Sequence, residues 1–356
     1  MIAEIDLLAA PGSGERLVRE LESLGAGVAV LREQGREVIA LTGDVPPGAK
    51  ELLLESECVE RLFEIKGPWV RMARAFRATR SRVRLGDEII GEGNPFVISG
   101  PCSVESREQI GECAELVKRA GSSALRGGAH KPRTHPYAFQ GLGREGLRML
   151  KRAGESVGLP VVSEVMDAAQ LACFVHEGID CLQIGARNMQ NFSLLKAVAV
   201  CGLPVLLKRG ISATVEEWLC AAEYLGAHGC DRIILCERGI RTYEPALRNT
   251  LDLSVVPLLR TLTHLPIIVD PSHAVGRRDL VRPACRGAIA TGADGLVLEM
   301  HPHPEVARSD GPQALLPGEL SAIIAESNIL ASTLPPIEPP RDLGVAGRAR
   351  SMVTVQ

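Results

Sequence analysis

Eight short runs rich in branched aliphatic residues recur from Pro95 onward, and this rhythm constrains the chain more than any other feature. The runs are Phe96–Ser99, Ala124–Arg126, Val161–Ser163, Cys181–Ile184, Val205–Leu207, Ile233–Leu235, Ile267–Val269 and Gly295–Leu298. Most are followed by a polar or Gly-rich loop and then by an amphipathic stretch long enough for a helix. Eight such βα units in about 235 residues match the size of a (β/α)8 barrel. A doubly wound open sheet is the alternative, but no Gly-rich dinucleotide loop follows the first strand. Composition points the same way: the chain is 46% hydrophobic but only 3% aromatic, so Val, Ile, Leu and Ala must fill the core. Branched aliphatics are what the interior layers of such a barrel contain.

The fold class is therefore α/β, a (β/α)8 TIM barrel over residues 95–330, with a small N-terminal ferredoxin-like α+β domain. Within residues 1–65, Ile2–Leu8 reads as a strand, Glu15–Leu24 as a helix and Val28–Leu31 with Glu37–Leu41 as a strand pair. Ala49–Glu55 follows as a short helix and Val59–Ile65 as a strand, which gives the order βαββαβ of a ferredoxin-like module. Residues 66–94 form a basic linker carrying Arg71, Arg74, Arg77, Arg80, Arg82 and Arg84, read as a solvated face or a strap. Residues 331–356 are a tail rich in Pro, Gly and Arg, read as flexible or loosely docked.

A net charge of −3 gives no reason to expect nucleic acid or an anionic membrane as partner. The start MIAEIDLLAA lacks a basic n-region, and no apolar run approaches the roughly 18 residues of a membrane span. Ten scattered Cys residues without a CxxC pair read as reduced thiols in a cytoplasmic protein, not as a disulfide framework or zinc ribbon.

In a barrel of this type the chemistry sits at the C-terminal ends of the strands. Cys102 follows strand 1, His273 follows strand 7, and Glu299 with Asp310 follows strand 8. Strand 8 pairs with strand 1 when a barrel closes, so these four can converge on one divalent ion. Manganese, iron, cobalt and zinc all suit so mixed a donor set. A second group is cationic: Arg126, Lys131, Arg133, Arg187, Lys208 and Arg238, at the ends of strands 2, 4, 5 and 6. Six cations in a barrel mouth imply a substrate set with several negative charges, which two phosphates and a carboxylate would match. The alternative is a structural ion-pair network with Glu164 and Glu237. His176, His228 and His264 read as surface residues, Trp218 as packing, and His301 and His303 first as turn residues beside Pro302 and Pro304.

These residues resemble those of 3-deoxy-D-arabino-heptulosonate 7-phosphate (DAHP) synthases, of the type I class with an N-terminal ferredoxin-like (ACT-like) domain. The matching stretches include Gly100-Pro-Cys-Ser-Val-Glu-Ser106, Leu125-Arg-Gly-Gly-Ala129, Lys131-Pro-Arg-Thr134, Ile184-Gly-Ala-Arg-Asn188, Leu206-Leu-Lys-Arg-Gly210, Asp270-Pro-Ser-His273 and Ser309-Asp-Gly-Pro-Gln313. The resemblance implies a metal-dependent transferase that condenses phosphoenolpyruvate with D-erythrose 4-phosphate and water, the first step of the shikimate pathway. It implies that Cys102, His273, Glu299 and Asp310 hold a divalent metal, Mn2+ ahead of Fe2+, Co2+ or Zn2+. Arg126, Lys131, Arg187, Lys208 and Arg238 would then grip phosphoenolpyruvate, and Arg133 with Thr134 the aldose phosphate. Lys131, Cys102 and His273 would be the catalytic residues. A homo-oligomer, dimer or tetramer, and an aromatic amino acid effector acting through residues 1–65 are also implied. Sister enzymes that make 3-deoxy-octulosonate 8-phosphate or sialic acids lack the Lys-Pro-Arg-Thr loop, which favours the four-carbon aldose. His135 stands where the family has Ser or Thr, which keeps in view a secondary-metabolism paralogue using another aldose phosphate. The rival from another class is a non-catalytic regulatory barrel, which loss of a metal ligand or a phosphate-binding Arg would signal.

Overall fold

The computed structural model describes residues 1–6, 8–33, 35–65, 67–133, 135–335 and, as backbone, 352–355. The chain divides into two compact units. One comprises Met1–Arg80, Arg260–His264 and the C-terminal strand; the other comprises Ser81–Leu259 and the stretch from Leu265 through the last helix. No helix among the described residues is long and apolar enough to cross a membrane.

The first unit runs β1 (Ile2–Ile5), α1 (Ser13–Ser23), β2 (Gly27–Glu33), β3 (Arg36–Thr42), α2 (Ala49–Glu55) and β4 (Val59–Ile65). The strands lie in the order β4-β1-β3-β2, and each neighbouring pair is antiparallel. Two-residue periodicity sends Ala3 and Ile5 of β1 toward the helices, where they join Leu17, Leu21, Ala49 and Leu53 in one buried cluster. The same periodicity places Glu4 on the other face, where Arg36 and Arg61 pair with it. Burial opposes the Glu4 charge, but the two guanidiniums outweigh it and hold the carboxyl below its usual range.

The basic linker is more buried than its charge suggests. Trp69, Val70, Met72, Ala73 and Phe76 are buried, and Ala73 bridges antiparallel to Thr263. His264, read from sequence as a surface residue, is also buried, with Nε2 at 2.9 Å from the Arg71 carbonyl. Burial pushes this imidazole down to about 3. Arginines alternate here with apolar residues, and the apolar partners decide the placement.

The second unit opens with a hairpin, β5 (Val83–Leu85) and β6 (Glu88–Ile90). Then come β7 (Phe96–Gly100), α3 (Arg107–Ala120), β8 (Ala124–Arg126), α4 (Gly143–Val157), β9 (Val161–Val165), α5 (Leu171–His176), β10 (Cys181–Ile184) and α6 (Phe192–Ala199). The series continues with β11 (Val205–Lys208), α7 (Val215–Ala227), β12 (Ile233–Glu237), α8 (Val255–Leu262), β13 (Ile267–Val269), α9 (Pro271–Val275), α10 (Arg278–Ala290), β14 (Gly295–Glu299) and α11 (Pro317–Thr333). Strands β7 to β14 form a closed parallel barrel. Local signals set the helix ends: Ser106 Oγ caps α3 by accepting from Gln109 N, and Thr214 with Glu217 makes a capping box on α7.

Closure occurs between β14 and β7, in register from Gly295 opposite Phe96 to Glu299 opposite Gly100. The barrel interior takes Phe96, Ile98, Ala124, Val162, Cys181, Leu206, Ile234, Cys236, Ile268 and Val297, so every strand contributes. Val83, Leu85 and Ile90 of the hairpin belong to the same cluster. Gly86 abuts Pro160 and Gly91 abuts Pro266, the residues just before β9 and β13, so the hairpin closes the N-terminal end of the barrel. Residues 83–90 thus belong to the barrel unit and not to the linker; three-residue strands are too short to register as apolar runs.

The tail after residue 330 also differs from its reading. Helix α11 continues to Thr333, and β15 (Met352–Val355) adds a parallel fifth strand beside β4. Met-Val-Thr-Val is a short run of good strand formers, and the free edge of β4 offers unpaired backbone groups.

Gly295 sits where the barrel closes, and a Cβ there would lie 2.0 Å from the Phe96 carbonyl oxygen. That neighbour is backbone and cannot rotate away. Gly295→Ala should therefore cost about 1–3 kcal/mol and lower the melting midpoint by several degrees in calorimetry. Gly318→Ala in α11 meets nothing within 4 Å and should leave the midpoint unchanged or slightly raised.

Candidate active site

The interior register predicts which side chains reach the C-terminal mouth. Two residues beyond an interior core residue, the next inward-facing position emerges at the strand end. Ala124 leads to Arg126, Val162 to Glu164, Cys181 to Gln183, Leu206 to Lys208, Cys236 to Arg238, Ile268 to Asp270 and Val297 to Glu299. Ile98 leads through Gly100 to Cys102. The alternate residues face the other way: Arg209 pairs with Glu237 at 3.1 Å and Asp252 at 3.0 Å, outside the mouth.

Cys102, His273, Glu299 and Asp310 each offer a ligand atom within 4.8 Å of the other three. Cys102 Sγ is 3.2 Å from Asp310 Oδ2, and His273 Nε2 is 3.5 Å from Glu299 Oε1 and 3.9 Å from Asp310 Oδ2. Asp270, the side-chain N-cap of α9, stands 2.8 Å from His273 Nδ1, which leaves Nε2 directed at the quartet. Burial lowers the imidazole's proton affinity, so the ring is neutral and suited to ligation. Burial and then the Glu299 carboxylate push the Cys102 thiol up to about 12. Burial works against the Asp310 charge, but the cations around it, Arg248 and Lys131, outweigh it and hold its carboxyl below its usual range.

This donor set fits a divalent metal. Glu299 Oε1 is buried and has no hydrogen-bond donor, although Arg126 Nη1 and His273 Nε2 approach to 3.5 Å. A buried carboxylate oxygen with that vacancy, beside a neutral imidazole and a thiol, is satisfied by a cation. Thiolate formation at Cys102 also needs one nearby, since burial alone keeps the proton on sulfur.

Beside the quartet lies a cavity of about 360 Å³. Arg126, Lys131, Arg133, Arg187, Lys208, Arg238 and Arg248 line it, together with Glu164, Gln183, His135, His273 and Asp310. Lys208 Nζ is 2.5 Å from Asp270 Oδ2, and Lys131 Nζ is 2.9 Å from both the Cys102 sulfur and its carbonyl oxygen. Lys131, Arg133, Arg187 and Arg238 have no carboxylate within ion-pair distance among the described residues. Arg126 Nη1 is buried without an acceptor. Glu237 and Glu164 do not neutralise the set: Glu237 is taken by Arg209, and Glu164 accepts from Gln183 Nε2 at 3.4 Å. Of the four cations without a carboxylate, Lys131 and Arg238 are buried, Arg133 is half-buried and Arg187 is exposed; unpaired positive charge lining a cavity is what a polyanionic ligand requires and what packing alone disfavours.

All four quartet residues and all six sequence-selected cations thus meet at one mouth. Thr134 lies outside the described residues. Four residues with evident contacts here were not singled out from sequence for a role. Asp270 and Gln183 could have been found from the two-residue register. Arg248 and Gln313 come from loops far along the chain, and no periodicity reaches them.

The sequence profile of the DAHP synthetase I family matches residues 73–332. The phospho-2-dehydro-3-deoxyheptonate aldolase of Thermotoga maritima is 46% identical over 328 residues, covering 91% of this chain and 97% of that protein. A 2-dehydro-3-deoxyphosphooctonate aldolase of Desulfotalea psychrophila is 33% identical over 260 residues, 67% of this chain and 91% of that protein. The crystal structure of the DAHP synthase from Thermotoga maritima matches with a TM-score of 0.73 at 44% identity, covering 93% of this chain and 97% of that one. A truncated form of the Thermotoga maritima 3-deoxy-D-arabino-heptulosonate 7-phosphate synthase matches with a TM-score of 0.68 at 47% identity, over 73% and 95% of the two chains. With a profile match across the whole barrel and near-half identity along almost all of a relative, the chain belongs to the DAHP synthetase I family.

Proposed function

We propose that this protein condenses phosphoenolpyruvate with D-erythrose 4-phosphate and water to form DAHP and inorganic phosphate, the first step of the shikimate pathway. The observation that carries the reading is the meeting of a four-donor quartet and a seven-cation cavity at one barrel mouth. Cys102, His273, Glu299 and Asp310 would hold the divalent metal, Mn2+ ahead of Fe2+, Co2+ or Zn2+. When bound, the metal supplies Lewis-acid polarisation of the aldehyde carbonyl.

The remaining work falls to the chain's own residues. Arg126, Lys131, Arg187, Lys208 and Arg238 hold phosphoenolpyruvate by its phosphate and carboxylate, in a buried mouth where such contacts are stronger than in water. Arg133, with Thr134, takes the aldose phosphate. Holding the two substrates together supplies much of the rate through proximity. C3 of phosphoenolpyruvate bonds to the aldehyde carbon, and the aldehyde oxygen takes a proton. Lys131 Nζ, 2.9 Å from Cys102 Sγ at the edge of the quartet, would be its donor. Bonding at C3 leaves C2 electron-deficient; water, oriented by Glu164, adds there and gives up one proton, which replaces the one Lys131 donated. The bond between C2 and the bridging oxygen then breaks, phosphate leaves with that oxygen and the proton of the C2 hydroxyl, and C2 becomes the carbonyl of the product. The Lys-Pro-Arg-Thr loop favours the four-carbon aldose over its five-carbon counterpart. No quartet member or cavity cation is missing, which argues against a non-catalytic barrel. The resemblance alone carries two extensions, a homo-oligomer and an aromatic amino acid effector acting through the N-terminal unit.

Removal of divalent ions should abolish turnover, and Mn2+ should restore it. Cys102→Ala should fold with an unchanged circular dichroism spectrum yet retain no stoichiometric metal by mass spectrometry; full metal content with full turnover would refute the ligand set. Arg133→Ala separates the two substrates. Loss of a charge-assisted phosphate contact should raise KM for erythrose 4-phosphate by about one to two orders of magnitude and leave that for phosphoenolpyruvate within about threefold. Equal rises in both constants would take Arg133 out of the aldose subsite.

A further inference from the structure

Each carboxylate of the quartet has one oxygen turned inward and one turned outward. Glu299 Oε1 and Asp310 Oδ2 face His273 Nε2, at 3.5 and 3.9 Å. The outward oxygens are not left to solvent. Asp310 Oδ1 accepts from Arg248 Nη1 at 3.2 Å, and Glu299 Oε2 accepts from Gln313 Nε2. The two donors are themselves joined, since Arg248 Nη1 donates to Gln313 Oε1 at 2.8 Å. The chain of contacts runs Asp310, Arg248, Gln313, Glu299. It fixes the Gln313 amide in one orientation, because a guanidinium needs its oxygen and a carboxylate needs its nitrogen.

From these contacts we infer that Arg248 and Gln313 form a clamp that positions the two carboxylates for the divalent metal, and so sets its affinity. The inference rests on the four-ligand metal reading above and goes beyond it, because neither residue is a ligand. Three further features show that the clamp is built into the fold. Asp310 has φ 54, the single positive φ of a non-glycine residue among those described. Such a backbone needs restraint from its surroundings, and Arg248 grips the side chain that this backbone presents. Gln313 is buried at 3% exposure, so its amide is held in place and its hydrogen bonds face no competition from water. Arg248 is tied to the element that bears His273: its backbone N–H donates to the Val275 carbonyl at 3.3 Å, and Asn249 N donates to Ala274 at 2.8 Å. Gly276, at φ +70, ends α9 at that point, and a Cβ there would lie 2.6 Å from the Arg248 Cβ. Glycine thus leaves the passage through which Arg248 reaches the carboxylates. The clamp links α9, which carries the imidazole, to the two residues that carry the carboxylates, so three of the four ligands share one scaffold.

Removing outer partners of a metal ligand typically weakens metal binding by about 10- to 100-fold. The test measures the Mn2+ dissociation constant of the metal-stripped full chain by competition with a fluorescent chelator, alongside its metal-free melting midpoint. Arg248→Ala and the near-isosteric Gln313→Leu should each weaken binding by about that factor with the metal-free midpoint little changed. The double variant should be no weaker than about the worse single one, because either change breaks the same chain of contacts. Arg248→Lys, which keeps the charge but cannot serve both acceptors in fork geometry, should fall between wild type and Arg248→Ala, and it keeps the test open if the alanine variant does not fold. Wild-type affinity in all these variants, or fully multiplicative losses in the double, would overturn the clamp. So would a fall in metal-free stability with unchanged affinity, which would assign both residues to packing. Failure of the metal reading looks different: the wild-type chain would then bind no Mn2+, or Cys102→Ala would bind it as well as wild type.

Discussion

The hydrogen-bonded closure of β14 on β7 is the contact on which the site depends. In sequence, Cys102 and Glu299 lie at opposite ends of the barrel segment; in register, Glu299 is opposite Gly100, two residues before Cys102. An open sheet of the same eight strands would hold these residues at opposite edges, and no cation could span them. Gly295 is glycine because the two backbones meet there with no room for a Cβ. The aliphatic interior below, and the β5–β6 hairpin that seals its other end, leave one mouth at which inward-facing polar side chains can emerge.

At that mouth, charge is sorted by position. The quartet's thiol, imidazole and carboxylates gather on the closing strands and the loops after them, and most cavity cations gather on the strands between, with Glu164 among them. The two sets touch along a seam: Arg126 with Glu299 at 3.5 Å, Lys131 with Cys102 at 2.9 Å, and Asp270 placed between Lys208 and His273. The seam places the cavity cations directly beside the quartet. Of the cations that remain, Lys131 and Arg238 are buried, which costs free energy. A bound polyanion would offset that cost and so couple ligand binding to folding stability.

Much of this was legible in the sequence. Apolar runs separated by helix-length segments gave the barrel, and the βαββαβ order of the first 65 residues gave the ferredoxin-like unit. Strand ends gave the quartet and six cations, because a strand end is a local property. What escaped were contacts made by loops and short pieces. Arg248 and Gln313 lie 65 positions apart and meet only through the fold. The 83–90 hairpin is hidden inside a run of arginines, and the polarity of the His264 side chain points to the surface although the residue is buried. Met352–Val355 looked like the end of a tail, and the open edge of β4 that receives it is invisible in the sequence.

In DAHP formation the chain joins a three-carbon enol phosphate to a four-carbon aldose phosphate. The most direct measurement is product identification by mass spectrometry from the purified full chain with Mn2+ and phosphoenolpyruvate, offered erythrose 4-phosphate and arabinose 5-phosphate in competition, with phosphate release followed in parallel. The expected outcome is the seven-carbon DAHP as the dominant product, with one phosphate released for each molecule formed. A dominant eight-carbon product, or phosphate release without carbon–carbon bond formation, would contradict it.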